Sequence, residues 1–128
     1  VSAQSFDVTV DYVKQREQFG VKIGSFQALQ HRAAHLFCEV ELARSVTLKA
    51  LTALDAGDER APFFVALAKA KAGEVAKLAT NEAVQMHGGI GMTDEYDIGF
   101  YMKRARTLAE LFGDANWAAD RLARMSGY

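Results

Sequence analysis

Apolar residues recur every three or four positions along most of the chain, the spacing that gathers them on one face of an α-helix. The first segment, up to about Phe19, places Phe6, Val10 and Val13 at such intervals. "FGVKIG" (Phe19 to Gly24) has glycine near its start and at its end and reads as a turn. From Ser25, a residue suited to N-capping, the positions Phe26, Leu29, Ala33, Phe37, Val40, Ala43, Val46, Ala50 and Leu54 predict one long amphipathic helix. Gly57 is placed to end it, and "GDERAP" is a short polar connection.

A third helix is expected from about Pro62, a good first-turn residue, to Met86. Its stripe is Phe64, Ala68, Ala72, Val75, Ala79, Ala83 and Met86, flanked by Leu67 and Leu78. Frequent alanine on both long helices, with Gly73 inside the third, permits close approach of helix backbones. "HGGIGMTDE" interrupts the pattern, and a fourth helix follows from about Asp97 to Leu111. "FGDAN" makes a tight joint, with Asp114 as N-cap of a short last helix to about Met125. No alternating strand pattern of useful length and no internal repeat is present. The predicted fold is all-α: an up-and-down four-helix bundle with a short extra C-terminal helix.

Composition narrows the function classes. A chain of 128 residues, half of them hydrophobic, suits one folded domain. Fifteen basic and 16 acidic residues leave a net charge of −1, which points to neither nucleic acid nor an anionic membrane surface. No apolar run approaches the roughly twenty residues that span a bilayer. The single cysteine, Cys38, allows no internal disulfide and fits a reducing compartment. The N-terminus has no signal-peptide features, lacks an initiator methionine and reads as starting inside a helix, so the natural chain is expected to continue upstream.

Two stretches carry candidate chemistry. In "REQFG" (Arg16 to Gly20) an arginine meets a phenylalanine at a helix end. The forked donors of a guanidinium match paired phosphate oxygens, although a solvated arginine beside a core phenylalanine explains the stretch taken alone. In "QMHGGIG" (Gln85 to Gly91) three glycines fall within four positions, which lets backbone approach a flat or phosphorylated ligand. No strand precedes them, so this is not a dinucleotide fingerprint. His31 and His35 lie four apart on one helix, but no second ligand cluster accompanies them and surface histidines are the better reading. Tyr96, Phe100, Tyr101 and Trp117 suit a pocket lining or simple packing equally.

Together the two stretches are more specific. "YVKQREQFGVKIGSFQALQHRAA" and, about seventy residues on, "AVQMHGGIGMTDEY" resemble the C-terminal domain of the acyl-CoA dehydrogenase family. The resemblance covers nearly the whole chain and implies an FAD-dependent enzyme. Its cofactor would lie between a helical N-terminal domain, a middle β-domain and this bundle, with the first two outside these residues and the first helix of the bundle truncated. It further implies oxidation of an acyl-CoA thioester to the 2,3-enoyl form, with electrons passing to an electron-transfer flavoprotein. Assembly would be a homo- or hetero-oligomer in which each FAD also touches a neighbouring subunit. On this resemblance Arg16, Gln18 and Phe19 would meet the partner's FAD, Arg16 near the pyrophosphate, and Gln27, Gln85, Gly88 and Gly89 would complete that surface. The implied compartment is the bacterial cytoplasm, or the mitochondrial matrix in a eukaryote.

The departures are informative. Many members carry the catalytic glutamate just before a glycine in the joint leading to the last helix. Counted without gaps from Gln85, that position is Phe112, followed by Gly113. Phenylalanine accepts no proton. Glu110 lies about half a helical turn away and Asp114 is explained as an N-cap. The usual Arg-Asp pair of the fourth helix reads Lys103-Arg104. Either the base comes from an upstream part of the first helix, or the subunit has none and pairs with a catalytic one. The wording "GGIGMTDEYDIGFYMKRA" resembles small subunits of heteromeric, pimeloyl-CoA-type enzymes. An acyl-CoA oxidase of the same fold is a further alternative.

Overall fold

The computed structural model describes residues 1–128. Five α-helices run in order: α1 (Ser2–Gln15), α2 (Gln27–Asp55), α3 (Ala61–His87), α4 (Ile98–Glu110) and α5 (Ala115–Met125). The all-α bundle is as predicted, with α5 as the short extra helix. α3 is the central member and packs against the other four. Its alanine-rich surface makes that possible: a Cβ placed on Gly73 would lie 3.0 Å from the Cβ of Ala115 on α5. No helix is long and apolar enough to cross a membrane.

The core gathers Tyr12 and Val13 of α1, Ile23 of the following turn, Leu36 and Val40 of α2, and Val75, Ala79 and Met86 of α3. Two ion pairs tie α2 to α3 along the flank. Arg32 donates two hydrogen bonds to Glu82, at 2.6 and 3.0 Å, and Lys71 donates to Glu39 at 2.6 Å.

Three expectations need correction. The first helix ends at Gln15, four residues before Phe19, because Arg16 turns to extended backbone (φ −67°, ψ 129°). The segment read as a plain turn is a small β-hairpin, β1 (Glu17–Gln18) against β2 (Val21–Lys22), in antiparallel register. Its two-residue tip, Phe19–Gly20, has positive φ at both positions (54° and 76°), the geometry that follows strand twist but that phenylalanine adopts reluctantly. An ion pair of 2.6 Å between Lys22 and Glu17 closes the hairpin. Second, Ser25 does not cap α2: it sits in a 3₁₀ turn (Ile23–Ser25), donates to the carbonyl of Lys22, and leaves Phe26 at the N-cap. Third, the buried face of α2 is shifted from its predicted stripe, sharing Val40 and Ala50 with it but taking in Leu36 and Ala53, which the stripe left out. Leu36, Val40, Ala50 and Ala53 are buried, whereas Phe37 and Leu54 stay exposed because α3 covers only one side.

Two terminations follow the predicted chemistry. Gly57 (φ 63°) ends α2 with its amide on the carbonyl of Leu54 and that of Asp58 on Ala53, the double bond pattern of a glycine-terminated helix. Asp114 caps α5, its carboxylate accepting from the amide of Trp117 at 2.7 Å.

Candidate functional site

At one end of the bundle the hairpin after α1 faces the C-terminus of α3 across a cleft of about 450 Å³. Arg16, Gln18 and Phe19 line it from one side, and Gln85, Gly88 and Gly89 from the other. Six of the seven residues named from the sequence therefore come together, although the two segments lie some seventy positions apart. Gln27 does not line the cleft; it opens α2 next to Phe26, which does.

Local structure explains each placement. Arg16 is the C-cap of α1, its amide bonded to the carbonyl of Tyr12 at 2.8 Å, so its side chain leaves the helix end on the cleft side. It is exposed and takes part in no ion pair, which leaves its donors free for an anion. Phe19, held at the hairpin tip, is 90% exposed and rests edge-on against Phe26 with ring centres 6.2 Å apart.

Across the cleft, Gly88 ends α3 with φ 67° and ψ −146°, a conformation close to one that only glycine adopts readily. A 3₁₀ turn (Gly88–Met92) follows. A Cβ built at Gly88 or Gly89 would meet nothing within 4 Å. Both glycines thus present bare backbone to open space. Gly91 differs, because a Cβ there would lie 2.8 Å from that of His87 and 3.0 Å from the carbonyl oxygen of Val84. Its role is internal packing.

Sequence reasoning missed the residues that join the two walls. His87, 4% exposed, closes α3. Its Nδ1 lies 2.7 Å from the carbonyl oxygen of Ala83, an acceptor, so Nδ1 carries the proton and Nε2 is bare. Nε2 is buried without a partner. The ring stacks on Tyr12 (centres 4.2 Å apart, planes 20° apart) and meets Tyr96 edge-on at 5.3 Å. Tyr12 donates its hydroxyl hydrogen bond to the main-chain carbonyl of His87 at 3.3 Å. Burial pushes the imidazole below its ordinary value, against the opposing bond to Ala83. The available signals were the position of Tyr12 one turn before Arg16 and of His87 inside the glycine motif.

Phe112 lies elsewhere. It is 85% exposed in a left-handed conformation (φ 62°) and lines a separate groove with Leu54, Val65, Lys69, Trp117 and Arg121. No carboxylate lines that groove. Glu110 opens onto a different one, between α3 and α4, beside Lys77 and Arg106. His31 and His35 are exposed, and no group of three or more His, Cys, Asp or Glu side chains converges anywhere. Among the aromatic residues weighed as pocket lining, Tyr96 packs on Tyr12 and His87, while Phe100 lies exposed under Lys103.

Comparison with known proteins identifies the family and the fold. The family model described as "Acyl-CoA dehydrogenase, C-terminal domain" matches residues 1–126. Acyl-CoA dehydrogenase IpdE2 of Mycolicibacterium smegmatis is 44% identical over 112 residues, which is 88% of this chain and 34% of that protein. Butyryl-CoA dehydrogenase from Megasphaera elsdenii superposes with a TM-score of 0.94 at 28% identity, over 99% of this chain and 33% of that one. A chain of the ChsE4-ChsE5 complex from Mycobacterium tuberculosis superposes at 0.92 with 27% identity, over 98% and 34% respectively. This chain spans about a third of the length of these relatives. From its sequence, its fold and these matches, the chain belongs to the acyl-CoA dehydrogenase family, as the helical C-terminal domain.

Proposed function

We propose that this chain forms one wall of an FAD site in an enzyme that oxidises acyl-CoA thioesters to 2,3-enoyl-CoA. The supporting observation is the cleft itself: an unpaired arginine on one side and two glycines with no neighbour at the Cβ direction on the other. Acyl-CoA dehydrogenases are flavin enzymes, and the donor set fits a cofactor with a phosphate portion and flat rings. Arg16 would supply charge-assisted hydrogen bonds to the pyrophosphate. Gly88 and Gly89 would let the backbone lie against the cofactor, and Phe19 offers an exposed ring edge beside it. Gln18, Gln85 and Gln27 would extend the polar rim. FAD, when bound, supplies the electron sink for the oxidation. Such a wall works across a subunit boundary, so the assembly is a homo- or hetero-oligomer, and electrons would leave to an electron-transfer flavoprotein. The compartment proposed is the bacterial cytoplasm, or the mitochondrial matrix in a eukaryote.

The acceptor of the α-proton lies outside residues 1–128 on this reading. Phe112 cannot take a proton, and its groove is lined by apolar and basic residues only. This observation also favours a second reading, a non-catalytic partner subunit of a heteromeric dehydrogenase. The ChsE4-ChsE5 complex is a two-protein relative of the same fold.

The test is flavin content in the protein encoded by its gene, alone and together with its genomic neighbour. Wild type should carry FAD, and Arg16→Ala should lose about 1.5–3 kcal/mol of contact, or roughly ten- to 150-fold in retention. Unchanged retention would make Arg16 a surface residue. Flavin reduction by acyl-CoA in the protein purified alone would sink the partner-only reading. Peroxide formed during turnover would identify an oxidase.

A further inference from the structure

The two walls of the cleft sit on different segments, and beyond the shared core a stacked pair joins them at the cleft. Tyr12 stands one turn before Arg16 on α1, and His87 immediately precedes Gly88 on α3. Their rings stack at 4.2 Å, and the Tyr12 hydroxyl satisfies the main-chain carbonyl of His87 at the C-terminus of α3, where the helix leaves carbonyls without internal partners. Gly91 folds back against His87, and Tyr96 covers the ring edge. The His87 ring thus adds a stacked contact at the cleft to the core packing of Tyr12, Val13 and Ile23 with Met86 that also joins the two segments.

The closed arrangement favours the neutral ring. Nδ1 already donates to the carbonyl oxygen of Ala83, so a second proton must go to Nε2, which is enclosed and has no acceptor. The groups facing it are the phenols Tyr12 of α1 and Tyr96 of the loop after the glycine turn. The only charged side chain lining the cleft is Arg16, a cation. No carboxylate lines the cleft to receive an imidazolium.

We propose that His87 is a positioning residue for the cleft: as a neutral ring clamped by Tyr12 and Tyr96 it sets the spacing of glycine turn and arginine hairpin, and a second proton releases them. This rests on the reading of the cleft as an FAD site. A group that must be neutral when closed and is free to charge when open makes closure fully available above the ordinary imidazole range. Closure is then lost as pH falls through that range, by up to tenfold per pH unit.

The experiment uses the protein encoded by its gene, wild type, Tyr12→Phe, His87→Asn and His87→Gln, between about pH 5 and 8. Amide hydrogen exchange of residues 88–92, corrected for intrinsic rates, reads opening of the turn, and flavin fluorescence separately reads FAD release. In wild type, opening should be flat above about pH 7 and rise toward tenfold per pH unit below it. His87→Asn keeps a donor for Ala83 but cannot titrate, so its opening should be flat throughout; His87→Gln serves the same purpose if the shorter side chain prevents folding. Tyr12→Phe should open about fivefold more at every pH, for one lost hydrogen bond, with the acid rise intact. Flat wild-type opening, or an equal acid rise in a folded non-titrating variant, overturns the clamp. A protein that never carries FAD yet shows the wild-type acid rise retires the cofactor reading and keeps the clamp. One that holds FAD at every pH with flat opening retires the clamp alone.

Discussion

Gly89→Ala and Gly91→Ala, two residues apart in one turn, should fail in opposite ways. A methyl at position 89 meets nothing within 4 Å, and the backbone there is not in the left-handed region. The substitution therefore costs no packing. It removes the excess freedom of glycine from the unfolded chain, so stability should be unchanged or rise by up to about 0.5–1 kcal/mol. The methyl would stand in the cleft, however, where a cofactor backbone contact is proposed. At position 91 the added carbon lies 2.8 Å from the Cβ of His87 and 3.0 Å from the carbonyl oxygen of Val84, neither of which is the free end of a flexible chain. Overpacking of this kind costs about 1–3 kcal/mol. Thermal unfolding followed by circular dichroism, on the apo-protein, should thus separate the two by several degrees, with Gly91→Ala the lower. Bound flavin per polypeptide should fall for Gly89→Ala despite its intact stability. If Gly89→Ala keeps full flavin, the glycine is a turn residue only and the cofactor argument loses that wall. If it unfolds early, the open space beside Gly89 has been misjudged.

Three further outcomes follow from the fold. Leu36 of α2 is fully buried in the shared core, and Leu36→Ala should cost about 2–5 kcal/mol in denaturant unfolding. The hydrogen bond from Lys71 holds the Glu39 carboxyl below its ordinary value, so its contribution is present above the ordinary carboxylate range and is lost as pH falls through the lowered one. Glu39→Gln should flatten that acid limb of stability, measured by unfolding between about pH 3 and 6, and an unchanged limb would exclude the pair as its source. Phe112 holds a left-handed backbone with its ring exposed, and Phe112→Asn, which suits that conformation, should leave stability equal or about 0.5–1 kcal/mol higher. A clear loss would mean that the ring packs where it is read as free.

The bundle was legible because its helices are long and their stripes sustained. On α3 the stripe members Ala68, Val75, Ala79, Ala83 and Met86 are buried, although Ala72 is exposed. Ala61, Ala66, Ala70, Thr80 and His87 are buried outside the stripe because other helices surround α3. The glycine at 57 and the aspartate at 114 mark ends by local chemistry, which needs no tertiary information. Legibility failed where local preference and packing disagree. Serine at 25 is a good cap by type, yet the carbonyl of Lys22 lies nearer, at 2.7 Å, and takes its hydroxyl. Phe19 is a poor residue for positive φ, so nothing in its type signals a hairpin tip; the pairing of Glu17 with Lys22 supplies the reason. On α2 apolar residues occupy more of the circumference than α3 covers, and periodicity alone does not say which of Leu36 and Phe37 turns inward.

The site was legible in its donors and not in what holds them. Arg16 and the glycines each have an ordinary reading alone, and they stand out only together, as two motifs in the order and spacing of a known family. Tyr12 and His87 do not stand out, since an aromatic and a histidine on helical faces are ordinary packing residues until the third dimension stacks them. Yet their stacking adds to the core packing that brings the two segments together, and the bare Nε2 is the feature on which the proposed clamp depends. Phe112 completes the argument by its location. The joint where the resemblance implies a carboxylate in many family members opens here onto an apolar and basic groove, distinct from the cleft of Arg16 and Gly89. On the proposed reading a chain could keep the cofactor wall while lacking a proton acceptor at Phe112, because the two clefts are lined by different residues and held by different contacts.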